Sequence, residues 1–299
     1  SLMSESFALK LNKNEINGSG LVTFLGGNLA NLNPAEFFIQ LDKNTIQLND
    51  FPSLKPYLKA QSMLKADVVV KGSLQDFEVN FKLQGGYRSL IEGTIQVVDG
   101  LQKDKIRINS DAISIKISDK ALGAIFLKET YDQLKPYTTK TGDLIIDSEF
   151  TGDKNNWNII SNVKTKLGVL SPNVKLKRVT VDQPWELAVA LDVDAFDLGT
   201  LLNQKTPIKA TASLSINGSV DERTLTLIES KGLINQLKIG ENTLNNLNFF
   251  ARHNNELTTA TLGSMESRHI FDMEIAFNHA VESLEVNGDF KSLNLSSFA

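Results

Sequence analysis

The stretch Ala66-Asp67-Val68-Val69-Val70-Lys71-Gly72-Ser73-Leu74-Gln75-Asp76-Phe77-Glu78-Val79-Asn80-Phe81-Lys82-Leu83-Gln84 decides the fold class. Ala66, Val68, Val70, Gly72 and Leu74 alternate with mostly polar neighbours. After a short break, Phe77, Val79, Phe81 and Leu83 alternate with Glu78, Asn80, Lys82 and Gln84. Only a pleated chain sends every second side chain to the same side, so each run reads as a strand with one apolar face.

The habit extends in both directions. Ile91, Gly93, Ile95 and Val97 follow, then Ile106 and Ile108, then Ile113, Ile115 and Ile117. In the second half Trp185, Leu187, Val189, Leu191 and Val193 alternate with Glu186, Ala188, Ala190, Asp192 and Asp194. Ile208 to Ile216, Met273 to Phe277 and Leu284 to Gly288 repeat the pattern. Asn17-Gly18, Asp99-Gly100, Asn217-Gly218 and Asn287-Gly288 signal turns, some of them bulges, because these pairs accept positive φ cheaply. Two stretches carry helical spacing instead. One opens at Asp50-Phe51-Pro52 with Leu54, Tyr57, Leu58 and Leu64 on its apolar side, and Pro56 limits it. The other starts at Ser118-Asp119, carries Leu122, Ile125, Phe126 and Leu134, and is expected to end before Pro136.

The 299 residues can bury a sizeable core, and 41% apolar with 22% charged residues is the composition of an ordered protein. A formal net charge of −4 argues against nucleic acid as a partner, which requires a basic stripe. With no cysteine there is no disulfide, thiolate metal site or Cys nucleophile. No segment approaches the ~18 apolar residues of a membrane-spanning helix. Ser1-Leu2-Met3 looks like a vector remnant and Phe298-Ala299 falls inside an apparent repeat, so the chain reads as a piece of something longer.

Repeats are the next signal. Asp50-Phe51-Pro52-Ser53-Leu54 and Asp289-Phe290-Lys291-Ser292-Leu293 share Asp-Phe-x-Ser-Leu; Phe196-Asp197-Leu198-Gly199 resembles them, and Ser118-Asp119 to Leu122 is a weaker echo. Lys65-Ala66 leads to Gly72-Ser73, as Lys209-Ala210 leads to Gly218-Ser219. The chain therefore divides into β blocks at 1–51, 52–117, 118–195 and 196–299, the middle two opening on helices.

A meander closed by a Phe-Asp-Leu crossing segment, followed by a strand that opens with Lys-Ala and closes with Gly-Ser, resembles the repeats of the AsmA-like / TamB (translocation and assembly module) family. Phe196-Asp197-Leu198-Gly199-Thr200-Leu201-Leu202 with the strand from Ile208 to Val220, and Asp289-Phe290 to Leu295, carry the likeness. Ala121-Leu122-Gly123 departs from it, lacking the preceding Phe. The resemblance implies an all-β, elongated and curled antiparallel repeat sheet forming an open groove with an apolar interior. It also implies a place in the bacterial periplasm, anchored to the inner membrane through a region absent from this chain. The implied role is conducting phospholipid between membranes or supporting outer-membrane assembly, with phospholipid acyl chains and envelope assembly proteins as partners. The groove lining would then be Val68, Val70, Phe77, Val79, Phe81, Ile91, Ile95, Ile106, Ile108, Ile113, Ile115, Leu187, Val189, Leu191, Leu214, Ile216, Met273, Ile275 and Phe277. The same alternation also fits a closed β-sandwich core, and with it a structural or adhesive interaction module that holds no lipid.

Catalysis finds little support. His253, His269 and His279 lack metal-ligand spacing and read as solvated, and no nucleophile elbow or P-loop is present. Gly18-Ser19-Gly20 lies in a strand, where small residues allow close packing. Asp192, Asp194 and Asp197 are the only tight acidic cluster, with Asp192 and Asp194 expected to face water from one strand. Trp157 and Trp185 read as core or groove-lip anchors. No cofactor, metal or catalytic residue is expected.

Overall fold

A computed structural model gives the fold. It describes residues 2–293 except 12–13, 25–34, 51, 53, 60–61, 181, 222–223, 255–256, 267–268 and 279–282. The chain is all-β and divides into two compact units, Ser1–Lys154 and Asn155–Ala299.

The first unit contains β1 (Leu2–Leu11), β2 (Asn14–Thr23), β3 (Glu36–Gln47), β4 (Met63–Ser73), β5 (Phe77–Gln84), β6 (Leu90–Val98) and β7 (Arg107–Ile117). Helices α1 (Asp119–Ile125) and α2 (Lys128–Thr141) follow, then β8 (Leu144–Gly152). Each strand pairs antiparallel with the next in sequence, forming an open meander. The second unit contains β9 (Asn156–Thr165), β10 (Gly168–Lys177), β11 (Trp185–Asp197), the one-turn helix α3 (Leu198–Leu201), β12 (Ile208–Asp221), β13 (Thr224–Ile239), β14 (Asn242–His253), β15 (Leu257–Glu266), β16 (His269–Asn278) and β17 (Ser283–Leu293). It too is an antiparallel meander. Among the described residues, neither unit contains a second sheet.

Several local expectations are corrected. Of the four turn pairs only Asp99-Gly100 ends a strand, with Asp99 at φ 59°. Asn217-Gly218 and Asn287-Gly288 lie inside β12 and β17, and Asn17-Gly18 sits inside β2 beside a register shift. Gly18 is required there because a Cβ would collide with the Gln40 carbonyl and the Leu41 side chain. β4 ends at Ser73, which leaves Leu74 in the turn. Residues 48–62 form no α-helix where described: a 3-10 turn at Leu48–Asp50 runs into further turns, as Pro52 and Pro56 so close together remove two amide donors. Phe51 and Ser53 of that motif lie outside the described residues. Ser118 caps α1 by accepting from the Ala121 amide. α2 does not stop before Pro136; it runs on to Thr141 with the proline inside, exposed, at the cost of one backbone hydrogen bond.

The Lys-Ala to Gly-Ser correspondence is structural. Ala66 and Ala210 occupy matching buried positions at the starts of β4 and β12. Opposite each, the preceding strand carries a bulge whose residue has positive φ, Lys43 at 54° and Ala195 at 46°. The residue after each alanine satisfies the bulged amide: Asp67 Oδ1 accepts from Lys43 N at 2.7 Å, and Thr211 Oγ1 from Ala195 N at 3.1 Å. The corner is thus built twice, with a 15-residue connection (48–62) after the first bulged strand and a 10-residue one (198–207) after the second.

Candidate functional site: an apolar sheet face

Directly paired residues on neighbouring strands project from the same side of a sheet, so the register converts alternation along strands into rows across them. In the first unit one row runs Val22, Phe37, Gly72, Phe77, Val97, Ile108. The next runs Gly20, Ile39, Val70, Val79, Ile95. A third runs Gly18, Leu41, Val68, Phe81, Gly93, Ile113, and a fourth Ala66, Leu83, Ile91, Ile115, Ile146. Phe37 and Phe77 approach to 6.2 Å between ring centroids.

The opposite side is mostly polar and cross-linked, with Leu21, Phe38, Val69, Leu90 and Ile145 among its apolar exceptions. Lys71 Nζ meets Glu78 at 2.8 Å and Lys82 meets Glu92 at 3.3 Å. Thr94 donates to Asn80, Asn80 to Glu78, and Ser114 to Asp147. The Lys71 ammonium, followed by the Asn80 amide, holds the Glu78 carboxyl below its ordinary pKa. These exposed pairs contribute little stability, but they keep this face in water and so fix which face is left for apolar contact.

In the second unit Trp157, Leu176 and Leu187 form one row, and Ile159, Val174, Val189 and Ile216 another. A longer row crosses seven strands: Pro172, Leu191, Leu214, Gly232, Phe249, Leu262, Met273. Ala251, Ala260 and Ile275 share a side, as do Thr258 and Phe277.

Of the nineteen expected lining residues, all but Ile106 stand in these rows. Ile106 lies in the turn before β7, its amide bonded to the Gln102 carbonyl. All nineteen are half-buried and none is fully enclosed. Among the described residues thirteen hydrophobic side chains are buried, five of them alanines. Leu244, Leu247 and Phe271 form a buried cluster, packed by Ile234, Leu237, Leu262 and Met273.

The register also adds residues that period-2 counting passes over. Phe37, Ile39 and Leu41 of β3 join the first face. Ile159, Val174 and Leu176 join the second, hidden in sequence by the Asn and Pro residues of β9 and β10. Ile234 and Leu237 pair with Leu247 and Leu244 and pack in one cluster; the β12–β13 register shifts beside Ile234, and Asn246, between the two leucines, has φ 54°. Three-residue spacing, which looks helical, thereby stays on one face.

The remaining chemical candidates resolve simply. His253 is not solvated as expected: it is half-buried, paired with Ile228 and Thr258, and its Nδ1 lies 2.7 Å from Thr258 Oγ1. The side chain of His269 and the whole of His279 lie outside the described residues. Asp192 is exposed and accepts from Ser213 Oγ, and Asp194 is exposed. Asp197 caps α3, taking the Thr200 amide and hydroxyl at 2.8 Å each; these donors hold its carboxyl below the ordinary value. Among the described residues no three His, Asp or Glu side chains converge as a metal site would need. Trp185 is half-buried with the Arg178 guanidinium 4.3 Å from its ring centroid.

At the Leu64 end of the first face, residues 48–62 and 118–127 meet. Lys59 N donates to Ile125 O at 2.9 Å and Leu127 N to Tyr57 O at 2.8 Å; Ser62 Oγ donates to Ile125 O at 2.7 Å and Lys59 Nζ to Gly123 O at 2.5 Å. Beneath them is a cavity of about 270 Å³. No helix among the described residues is long and apolar enough to cross a membrane. No family model, curated protein or solved structure matches this chain, and the fold and the two apolar faces therefore carry the functional argument.

Proposed function

We propose that this chain is a non-enzymatic carrier that holds acyl lipid against the apolar face of an open β-sheet. The observation that carries the reading is the set of apolar rows, in register across consecutive strands and half-buried except at Ala66, in units that each have one sheet. An acyl chain laid on such a strip gains about 0.8 kcal/mol for each CH₂ it buries, and it needs no specific polar contact to do so. Holding is therefore compatible with sliding.

The likeness of the crossing segments to AsmA-like repeats supports a setting in the bacterial envelope. There the sheet would work between the inner and outer membranes, conducting phospholipid or assisting outer-membrane assembly, on an inner-membrane anchor outside this chain. The doubled corner of bulge, crossing segment and buried alanine supports the repeat character of that likeness.

One observation favours a second reading. Leu247 is wholly enclosed, and Leu244 and Phe271 beside it nearly so, as in the core of an interaction module that takes no lipid. The experiment that separates the two is transfer of fluorescent phospholipid between donor and acceptor vesicles. A carrier raises the rate in proportion to protein, and Val68→Asp and Val189→Asp abolish the increase. A lipid-free module leaves the rate at the protein-free value.

A further inference from the structure

We propose that the cavity at the Leu64 end of the first unit is the seat for the terminal methyl end of an acyl chain, which makes this face closed at one end. The inference rests on the acyl-lipid reading above and adds a polarity to it.

Leu48, Leu64, Leu83, Ile91, Ile117 and Phe126 line the cavity. Four of them belong to the sheet: Leu83 and Ile91 stand in the row through Ala66, Leu64 is the next inward position of β4, and Ile117 ends β7. The roof is the junction of the two crossing segments, and its polar groups are consumed by one another. Lys59 N, Lys59 Nζ and Ser62 Oγ all donate to carbonyls of Gly123 and Ile125. Ser89 Oγ in the wall is buried without a partner, but a buried water requires two to four polar partners, so a cavity walled this way favours hydrocarbon over water or a headgroup.

Size allows such an occupant. At about 270 Å³ the cavity is far larger than the ~10–15 Å³ that one water needs, and it has room for the end of an acyl chain. Reach is also right. From Phe77 to Leu83, six residue steps of about 3.4 Å give ~20 Å, whereas a tail crosses half of a ~30 Å hydrocarbon core, ~15 Å. A tail of ~15 Å spans about four such steps, so a chain lying along β5 with its methyl end in the cavity leaves its carbonyl end near the Val79 row.

The test is photo-crosslinking of the full chain with two phospholipid probes. Each carries a diazirine on one palmitoyl chain, at the terminal methyl in the first and beside the carbonyl in the second. The expected result is labelling of peptides spanning Leu54–Leu64, Leu83–Ile91 and Ile117–Phe126 by the terminal probe, several-fold above the carbonyl probe. Ser89→Phe, which projects a ring from the cavity wall, shifts that label to other peptides while circular dichroism stays that of wild type. Equal labelling of these peptides by both probes overturns the seat and its polarity but leaves lipid on the face. Labelling by neither probe above a denatured control removes the lipid reading and the seat together.

Discussion

Replacing Val70 by aspartate separates an open apolar face from a closed core. Val70 stands mid-sheet between Ile39 and Val79, half-buried. Full burial of a valine is worth roughly 1.5–3 kcal/mol, so losing a partly buried one costs about 1 kcal/mol. The new carboxylate still reaches water from a half-exposed position, and the several kcal/mol charged for an unpaired buried charge are not incurred. For a unit of 154 residues, about 1 kcal/mol corresponds to a Tm shift of ~2–4 °C. Thermal unfolding followed by circular dichroism should give a single transition, lowered by that amount, with an unchanged native spectrum. Phospholipid that co-purifies with the wild type should be absent. A fall of more than about 10 °C, equivalent to several kcal/mol, or loss of the cooperative transition would refute the reasoning, because it would place Val70 in a sealed interior.

Other perturbations probe other parts of the account. Leu247→Ala, at a fully enclosed position, should cost ~2–5 kcal/mol in urea denaturation, several times the cost of Ile95→Ala on the half-buried face; equal costs would mean the two sites are equally covered. Gly72→Ala should destabilise by ~1–3 kcal/mol, since φ is +129° and a Cβ would press on the Asp76 carbonyl; a stabilised variant would contradict this reading of the turn from β4 to β5. Asp197→Ala should remove ~0.5–2 kcal/mol of capping at neutral pH. Because the folded carboxyl titrates below its unfolded value of about 3.9, that difference is complete above this pH and disappears as pH falls through the lowered folded value. A difference that persists at pH 2 would assign the loss to packing instead. Lys71→Ala should change stability by no more than ~1 kcal/mol, because the pair with Glu78 is solvent-exposed.

The alternation of Val68, Val70, Val79 and Phe81 is legible in sequence because a pleat leaves no other explanation for period 2. The matched corners at Ala66 and Ala210 are legible for a related reason: a buried small residue opposite a bulge repeats wherever the bulge does. Leu244 and Leu247 are hidden because an irregularity at Asn246, beside the β12–β13 register shift, disguises a strand as helical spacing. Asn217-Gly218 misleads because a turn-favouring pair is also tolerated mid-strand, where Gly218 stands between Leu187 and Ile228. The helical spacing of Leu54, Tyr57 and Leu58 fails for lack of amide donors at Pro52 and Pro56. The cavity could not be foreseen, since it depends on two crossing segments about 60 residues apart meeting at one sheet end, as in the pair Ser62 and Ile125.

Native mass spectrometry of the freshly purified chain tests the central claim most directly. The account predicts adducts with the masses of intact phospholipids on the wild type, lost in Val70→Asp and Val189→Asp. A bare polypeptide mass under gentle conditions, unchanged after incubation with phospholipid vesicles, would contradict it.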